Sequence, residues 1–271
     1  MESILQHSSI KALMATLPSN RPFGLEELAK QGVSSHQAAR YSRTGWLDRI
    51  GTGTYAFPNT ILDMNACLQL LERQVKGFHI GGKTALSLQG IRHNVSSRQT
   101  IHLWGTERYA LPDWFTSKFP SVYYHRTLFD LEILQDKLGN EAYARPPSAT
   151  GIVPRISVRE RALLEVLNEV GVTQDLEEAE NLFESFTSLR MDVMDALLSA
   201  CVSVKTVRLF FHISQKNRVI DTTPFLKNPA INFGASTRWI RKMKDGTILS
   251  LNPIAKGREI GYCCDIAWIK L

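Results

Sequence analysis

Between Gly77 and Thr84 the chain reads GFHIGGKT, which fits G-x-x-x-x-G-K-[ST], the spacing of a loop that cradles phosphates. In such a loop Lys83 would reach the phosphates and Thr84 a magnesium ion. That chemistry requires a buried strand leading in and a helix leading out, so that backbone N–H groups point at the ligand. TALSLQG supplies the helix. The preceding LLERQVK, however, has the pattern of an amphipathic helix, and no apolar run ending in a magnesium-binding Asp follows. The expectation is a turn whose glycines allow close helix packing. A nucleotide-using enzyme built on Lys83 and Thr84 is the alternative.

Other reactive side chains are scattered. The seven histidines form no HxH or HxxxH pair; His93 and His102 lie nine apart, and His79 and His93 bracket an expected helix. His125 ends a strand-like run. Cys67, Cys201, Cys263 and Cys264 contain no CxxC spacing and read as buried or half-buried free thiols. In DLEEAENLFE, Glu177, Glu180 and Glu184 share one helical face and Leu176, Ala179 and Phe183 the other, the pattern of a surface helix. With no nucleophile elbow and no Ser/His/Asp order, neither catalysis, a metal nor a cofactor is expected.

Hydrogen-bond donors of long reach gather elsewhere, between Ser35 and Gly45. At 100° per residue, Ala38, Ala39, Ser42, Gly45 and Trp46 fall on one side of a helix. Gln37, Arg40, Tyr41 and Thr44 fall on the other, flanked by His36 and Arg43. A donor-rich face without acidic charge suits the DNA major groove, where Arg pairs with guanine and Gln with adenine. Gln37, Arg40, Tyr41 and Thr44 are therefore expected to read bases, and His36, Arg43, Arg49 and Thr52 to hold the phosphate backbone. A second basic group, Arg238, Trp239, Arg241, Lys242 and Lys244, interleaves cations with an aromatic and is a candidate contact for nucleic acid or a partner. Its alternative is a solvated turn with Trp239 and Ile240 in the core.

The elements that must position these groups are legible nearby. LEELAKQ reads as a short helix with Leu25, Leu28 and Ala29 inward, stopped by Gly32, with Val33 plugging the turn. Ser34 and Gln37 form a capping box for the donor-rich helix. LDRI and TYAF flank Gly51-Thr52-Gly53 as a hairpin, the wing. SILQHSSIKALMATLP supplies a supporting helix through Ile4, Ile10, Leu13, Met14 and Leu17. Residues 1–58 thus read as a winged helix-turn-helix.

Beyond it, residues 59–150 read as a mixed α/β middle region: a helix over Ile61–Lys76, strands at Thr100–Trp104 and Ser121–His125, and a short helix in PDWFTSKF. Residues 151–271 read as helices followed by strands, opening with a capping box from Ser157 to Glu160. Ala162, Leu163, Val166, Leu167 and Val170 form an apolar stripe on that first helix. The fold class is α+β, a winged helix-turn-helix followed by a mixed body whose helical C-terminal portion ends in strands.

Charge is uneven across 271 residues carrying a net +6. Residues 1–58 hold six basic and four acidic groups, 59–200 fourteen and eighteen, and 201–271 twelve and four. The excess at the C-terminal end favours an anionic partner there. No apolar run approaches the ~20 residues of a membrane span, and no secretion signal is evident, so the cytoplasm is the expected compartment.

The run TGWLDRIGTGTYAFP, residues 44–58, resembles the winged-helix region of AbiEi-type antitoxins of type IV, abortive-infection toxin–antitoxin systems. Those proteins carry a similar Gly-Trp-Leu, Gly-x-Gly-x-Tyr turn and closing proline. GGKTALSLQGIRH (Gly81–His93), RERALLEVLNEV (Arg159–Val170) and VKTVRLFFHISQKN (Val204–Asn217) extend the resemblance over most of the chain. It implies an autorepressor whose winged helix binds double-stranded operator DNA. It also implies a C-terminal region that counters a nucleotidyltransferase-type toxin without requiring a stable complex with it. GASTRWIRKMKDGTILSLNP matches the family's glycine- and lysine-rich close only loosely. A protein-interaction adaptor is a further alternative.

Overall fold

The computed structural model describes residues 10–17, 19–91, 100–144, 153–186, 188–218, 220–242, 246, 248–254 and the backbone of 267–269. At the N-terminus come a helix α1 (residues 10–16), strand β1 (Phe23–Gly24), helices α2 (Leu25–Lys30) and α3 (Ser35–Arg43), and a hairpin of β2 (Asp48–Gly51) and β3 (Thr54–Ala56). The three strands form an antiparallel sheet in the order β1-β3-β2, the element order of a winged helix-turn-helix.

Its small core is built from Ile10, Leu13, Leu17, Phe23, Leu28, Val33, Ala38, Tyr41, Leu47, Tyr55 and Phe57. Gly32 adopts φ +76° and ends α2, and Val33 is buried behind it, as the sequence implies. Met14 and Ala29, expected inward, are exposed; Ile4 lies outside the described residues.

The body begins with α4 (Met64–Gln74), whose first turn is capped by Asp63 through a 2.9 Å bond from the Ala66 N–H. There follow β4 (His79–Ile80), α5 (Gly82–Leu88), β5 (Ile101–Gly105), α6 (Asp113–Thr116), β6 (Ser121–His125), α7 (Leu131–Leu138), β7 (Tyr143–Ala144) and β8 (Ile156–Ser157). They form a five-stranded mixed sheet in the order β6-β5-β4-β8-β7, with β5 parallel to β6 and β4 parallel to β8. The division expected near residue 150 falls inside this sheet, since β8 lies beyond it.

Five helices come next: α8 (Arg159–Glu169), α9 (Leu176–Glu184), α10 (Met191–Ala200), α11 (Val204–Asn217) and α12 (Thr223–Leu226). An antiparallel sheet of β9 (Trp239–Lys242), β10 (Ile248–Leu251) and β11 (Ala267–Ile269) closes the chain in the order β11-β10-β9. The architecture is the expected α+β one. Cys263 and Cys264 lie outside the described residues, whereas Cys67 and Cys201 are buried free thiols. Among the described residues no helix is long and apolar enough to cross a membrane.

The pivot of the body is α8, which packs against α5, α10 and α11. The expected capping box is corrected here. Val158 precedes the helix, while Ser157 sits in β8 with its hydroxyl on Glu165, and Glu160 pairs with Arg190 at 2.8 Å. Nor is α8 apolar on its buried side alone. Glu160, Arg161, Glu165 and Glu169 are buried with the leucines, so both faces of the helix are inside.

Candidate nucleic-acid interface

The presentation of α3 starts from its cap. Ser34 Oγ accepts the Gln37 N–H at 3.2 Å, and Gln37 Oε1 accepts the Ser34 N–H at 2.8 Å, the reciprocal box expected from the sequence. Ala38 and Tyr41, three residues apart and so on one helical face, turn into the core. Tyr41 is 3% exposed, which corrects its expected place among base-reading residues. Its ring fills the space that Ala39, Ser42, Gly45 and Trp46 were expected to fill; Ala39 and Ser42 are half-buried, and Gly45 and Trp46 exposed.

His36, Gln37, Arg40, Arg43 and Thr44 share the open surface, with no acidic residue anywhere from Ser34 to Leu47. Gln37 has its side-chain oxygen engaged by the cap, and Thr44 donates its hydroxyl to the Arg40 carbonyl at 3.0 Å. The long cations Arg40 and Arg43 lie in the last turn of α3, where the helix dipole also favours them. Beside them the hairpin exposes Arg49 on β2 and Thr52 at its tip, and Gly53 takes φ +65° to close the turn.

This unit is held against the body rather than tethered to it. A Cβ at Gly51 would stand 2.7 Å from Cδ1 and 2.9 Å from Nε1 of Trp114 on α6, so the indole lies close against the wing's backbone. Glu27 on α2 pairs with Arg21 at 2.8 Å and with Arg73 on α4 at 3.1 Å. The linker is pinned as well. Asp63 donates its N–H to the Asn20 carbonyl at 2.9 Å, and Thr60 its hydroxyl to that of Ser19 at 3.0 Å.

The Gly77–Thr84 segment is filled by the chain itself. Glu165 places Oε2 2.9 Å from the Gly82 N–H, the seat at the start of α5 that a phosphate would need. Its carboxylate also accepts from Ser157 Oγ at 2.9 and 3.0 Å, from His79 Nε2 at 2.9 Å and from Arg161 Nε at 2.9 Å. Burial by itself pushes this carboxyl up, but His79 and Arg161 outweigh it and hold the group down at about 2. A Cβ at Gly81 would collide with Glu165 and Trp104, which explains a glycine there without any nucleotide. Lys83 pairs with Glu178 at 3.1 Å, and Thr84 accepts the His102 N–H at 2.9 Å.

At the other end of the chain, Arg238, Arg241 and Lys242 are exposed on and just before β9, while Trp239 packs partly into the core; Lys244 lies outside the described residues. Ile240, grouped with Trp239 in the core-turn alternative, is 60% exposed. Arg238 donates Nε to Asn252 Oδ1 at 3.0 Å. Among the histidines, His79 is the one the sequence reading undervalued, His125 is exposed, and His93 lies outside the described residues. His102 is lowered to about 4, by burial first and then by the Lys83 charge. Among the described residues no group of three or more His, Cys, Asp or Glu side chains is placed to hold a metal ion.

The Glu165 cluster was missed from sequence, although a signal existed. The apolar residues of RERALLEVLNEV cover more than half of the helix circumference, wider than the stripe of a surface helix. Such a helix is enclosed, and the charges left on its narrow side must then find buried partners.

Two family models match the chain. One, described as "Transcriptional regulator, AbiEi antitoxin N-terminal domain", matches residues 6–97. The other, described as "Transcriptional regulator, AbiEi antitoxin, Type IV TA system", matches residues 98–254. Among solved structures, the RV2827C protein from Mycobacterium tuberculosis is similar at 17% identity, over 79% of this chain and 77% of that one, with a TM-score of 0.47. Comparison with curated proteins gives no match.

Proposed function

The chain belongs to the AbiEi antitoxin family of transcriptional regulators from type IV toxin–antitoxin systems, and on that footing we propose that it is a DNA-binding antitoxin that represses its own operon. The observation that carries the proposal is the exposed face of α3, which presents His36, Gln37, Arg40, Arg43 and Thr44, with no acidic residue in the sequence from Ser34 to Leu47, beside the Arg49–Thr52 wing. Arg40 and Gln37 read base edges in the major groove; His36, Arg43, Arg49 and Thr52 hold phosphates, and Thr44 supports the end of the helix. Residues 1–58 form the reading head. The remaining chain, with residues 59–150 and 151–271 as its two stretches, counters a nucleotidyltransferase-type toxin. The basic edge at Arg238, Arg241 and Lys242 faces the toxin or its nucleic-acid substrate. No catalytic step is assigned to any residue.

Fluorescence anisotropy on the duplex upstream of the protein's own gene, against a scrambled duplex and across a salt series, tests this reading. Selective binding is expected, and Arg40→Ala should weaken it by about 1–3 kcal/mol if Arg40 makes a bidentate base contact. Tyr41→Phe should bind like the parent, because its ring is in the core. Equal affinity for both duplexes, or an unaffected Arg40→Ala, would remove the reading role from α3. For the body, neutralisation of the neighbouring toxin on co-expression should survive Arg40→Ala and fail when Arg238, Arg241 and Lys242 together become Ala.

A further inference from the structure

Among the described residues β9 pairs with β10 alone, which makes it an outer strand of the sheet β11-β10-β9. Alternate N–H and C=O groups of an outer strand point away from the sheet, where an added strand can pair with them. Ile240 is 60% exposed, and Arg241 and Lys242 are exposed beside it.

Register sorts these side chains by face. Arg241 lies opposite Leu249 and Trp239 opposite Leu251, so both stand on the side whose leucines are fully buried. Ile240 and Lys242 stand on the other side, opposite Ser250 and Ile248. The edge therefore offers an apolar side chain and a cation on one face and a second cation on the other. Just before the strand, Arg238 is steadied by its bond to Asn252. Elsewhere in the body Arg190 and Lys216 are each matched by a carboxylate at 2.8 Å. Among the described residues no carboxylate pairs with Arg238, Arg241 or Lys242.

These charges select the occupant. A second copy pairing β9 with β9 would crowd the cations of both chains within four residues, which is destabilising. The chain's own acidic run, DLEEAENLFE, is wound into α9. A nucleic-acid strand meets the charge but not the edge, since its phosphates only accept and the outward carbonyls of β9 would face them unpaired.

Resting on the reading of this basic edge as an interface, we propose that β9 receives an acidic, extended segment of another protein as an added strand. Backbone pairing supplies the affinity, and the side chains opposite β9 select the segment. In antiparallel addition the segment carries acids opposite Lys242 and Arg241, an apolar residue opposite Ile240, and a further acid toward Arg238. Along the partner the pattern is acid, acid, apolar, any residue, acid.

The test titrates the full chain, without DNA or toxin, with the end-blocked peptide Thr-Glu-Glu-Val-Thr-Glu-Thr and follows the amide resonances of Ile240, Arg241 and Lys242. One-to-one binding is expected, weakened about tenfold when Arg241→Glu and Lys242→Glu are combined, since two exposed ion pairs become repulsive. Two further peptides carry N-methyl groups on alternate residues. One should fail to bind and the other bind like the parent, because only half the amides of an added strand face its neighbour. Equal binding of the two would show attraction without strand pairing and overturn the proposal. No binding at millimolar concentration would overturn it too. Tighter binding of an oligothymidylate, weakened by the same double variant, would assign the edge to nucleic acid instead. Failed toxin neutralisation with peptide binding intact would remove the toxin as partner and leave the strand-receiving edge standing.

Discussion

Glu165 is fully buried, yet four groups donate to it: the Gly82 amide, the Ser157 hydroxyl, His79 and Arg161. Its carboxyl sits at about 2 in the fold against an ordinary 4.5. The stabilisation from this group is therefore complete above pH 4.5 and is lost as pH falls toward 2. Glu165→Gln should cost about 3–5 kcal/mol in urea unfolding at neutral pH, because it leaves the buried Arg161 guanidinium without its counter-charge. It should also flatten the acid limb of the stability curve over that window. An acid limb identical to the parent's would mean that other carboxylates carry it. Arg161 and Glu165 stand four apart, a spacing that surface helices also carry, so nothing local in the sequence says that both lie inside. Tyr41 misled in the opposite direction. Its hydroxyl placed it with the polar residues, while its three-residue spacing from Ala38 placed it in the core, and the ring's apolar area decided the outcome.

Elements were easier to read than environments. The capping box at Ser34 and Gln37, the αL stop at Gly32 and the Gly53 turn are local, determined by residues within one turn of each other, and the structure contains all three. Ser34→Ala should cost about 1 kcal/mol, with the loss confined to the N-terminal unit. Hydrogen exchange that speeds up in α3 but not in α8 would register it, and a uniform change would show that the two cores unfold together. Ser157 and Glu160 carry the same letters as a capping box, yet there the pattern failed. Burial of both termini of β8 and α8 gave Ser157 a carboxylate and Glu160 an arginine, partners distant in sequence that no local rule contains. The same holds for the five-stranded sheet. Its strands at Ile101–Gly105 and Ser121–His125 were legible as β-branched and aromatic runs. The two-residue strands that join it to α8 were too short to leave a period.

Across the whole molecule, the N-terminal unit, proposed as the reading head, and the body meet through backbone and aromatic surface, where Gly51 lies against Trp114, and through Glu27 and Arg73. Gly51→Val should drive the wing from the indole, since even the first carbon of a side chain stands 2.7 Å from Trp114. Expected results are faster proteolysis in the hairpin and weaker operator binding, with the body's melting little changed. A hairpin as resistant as the parent's would show that Trp114 yields instead. The docked wing has a further consequence for how copies of the protein share DNA. A head on a loose tether can swing to meet a neighbouring site at any azimuth around the double helix. This head cannot, so each bound copy projects its body in one fixed radial direction. Two copies on adjoining sites would face the same way only when the sites are separated by whole helical turns of about 10 bp. Promoter architecture would then be read in phase as well as in sequence.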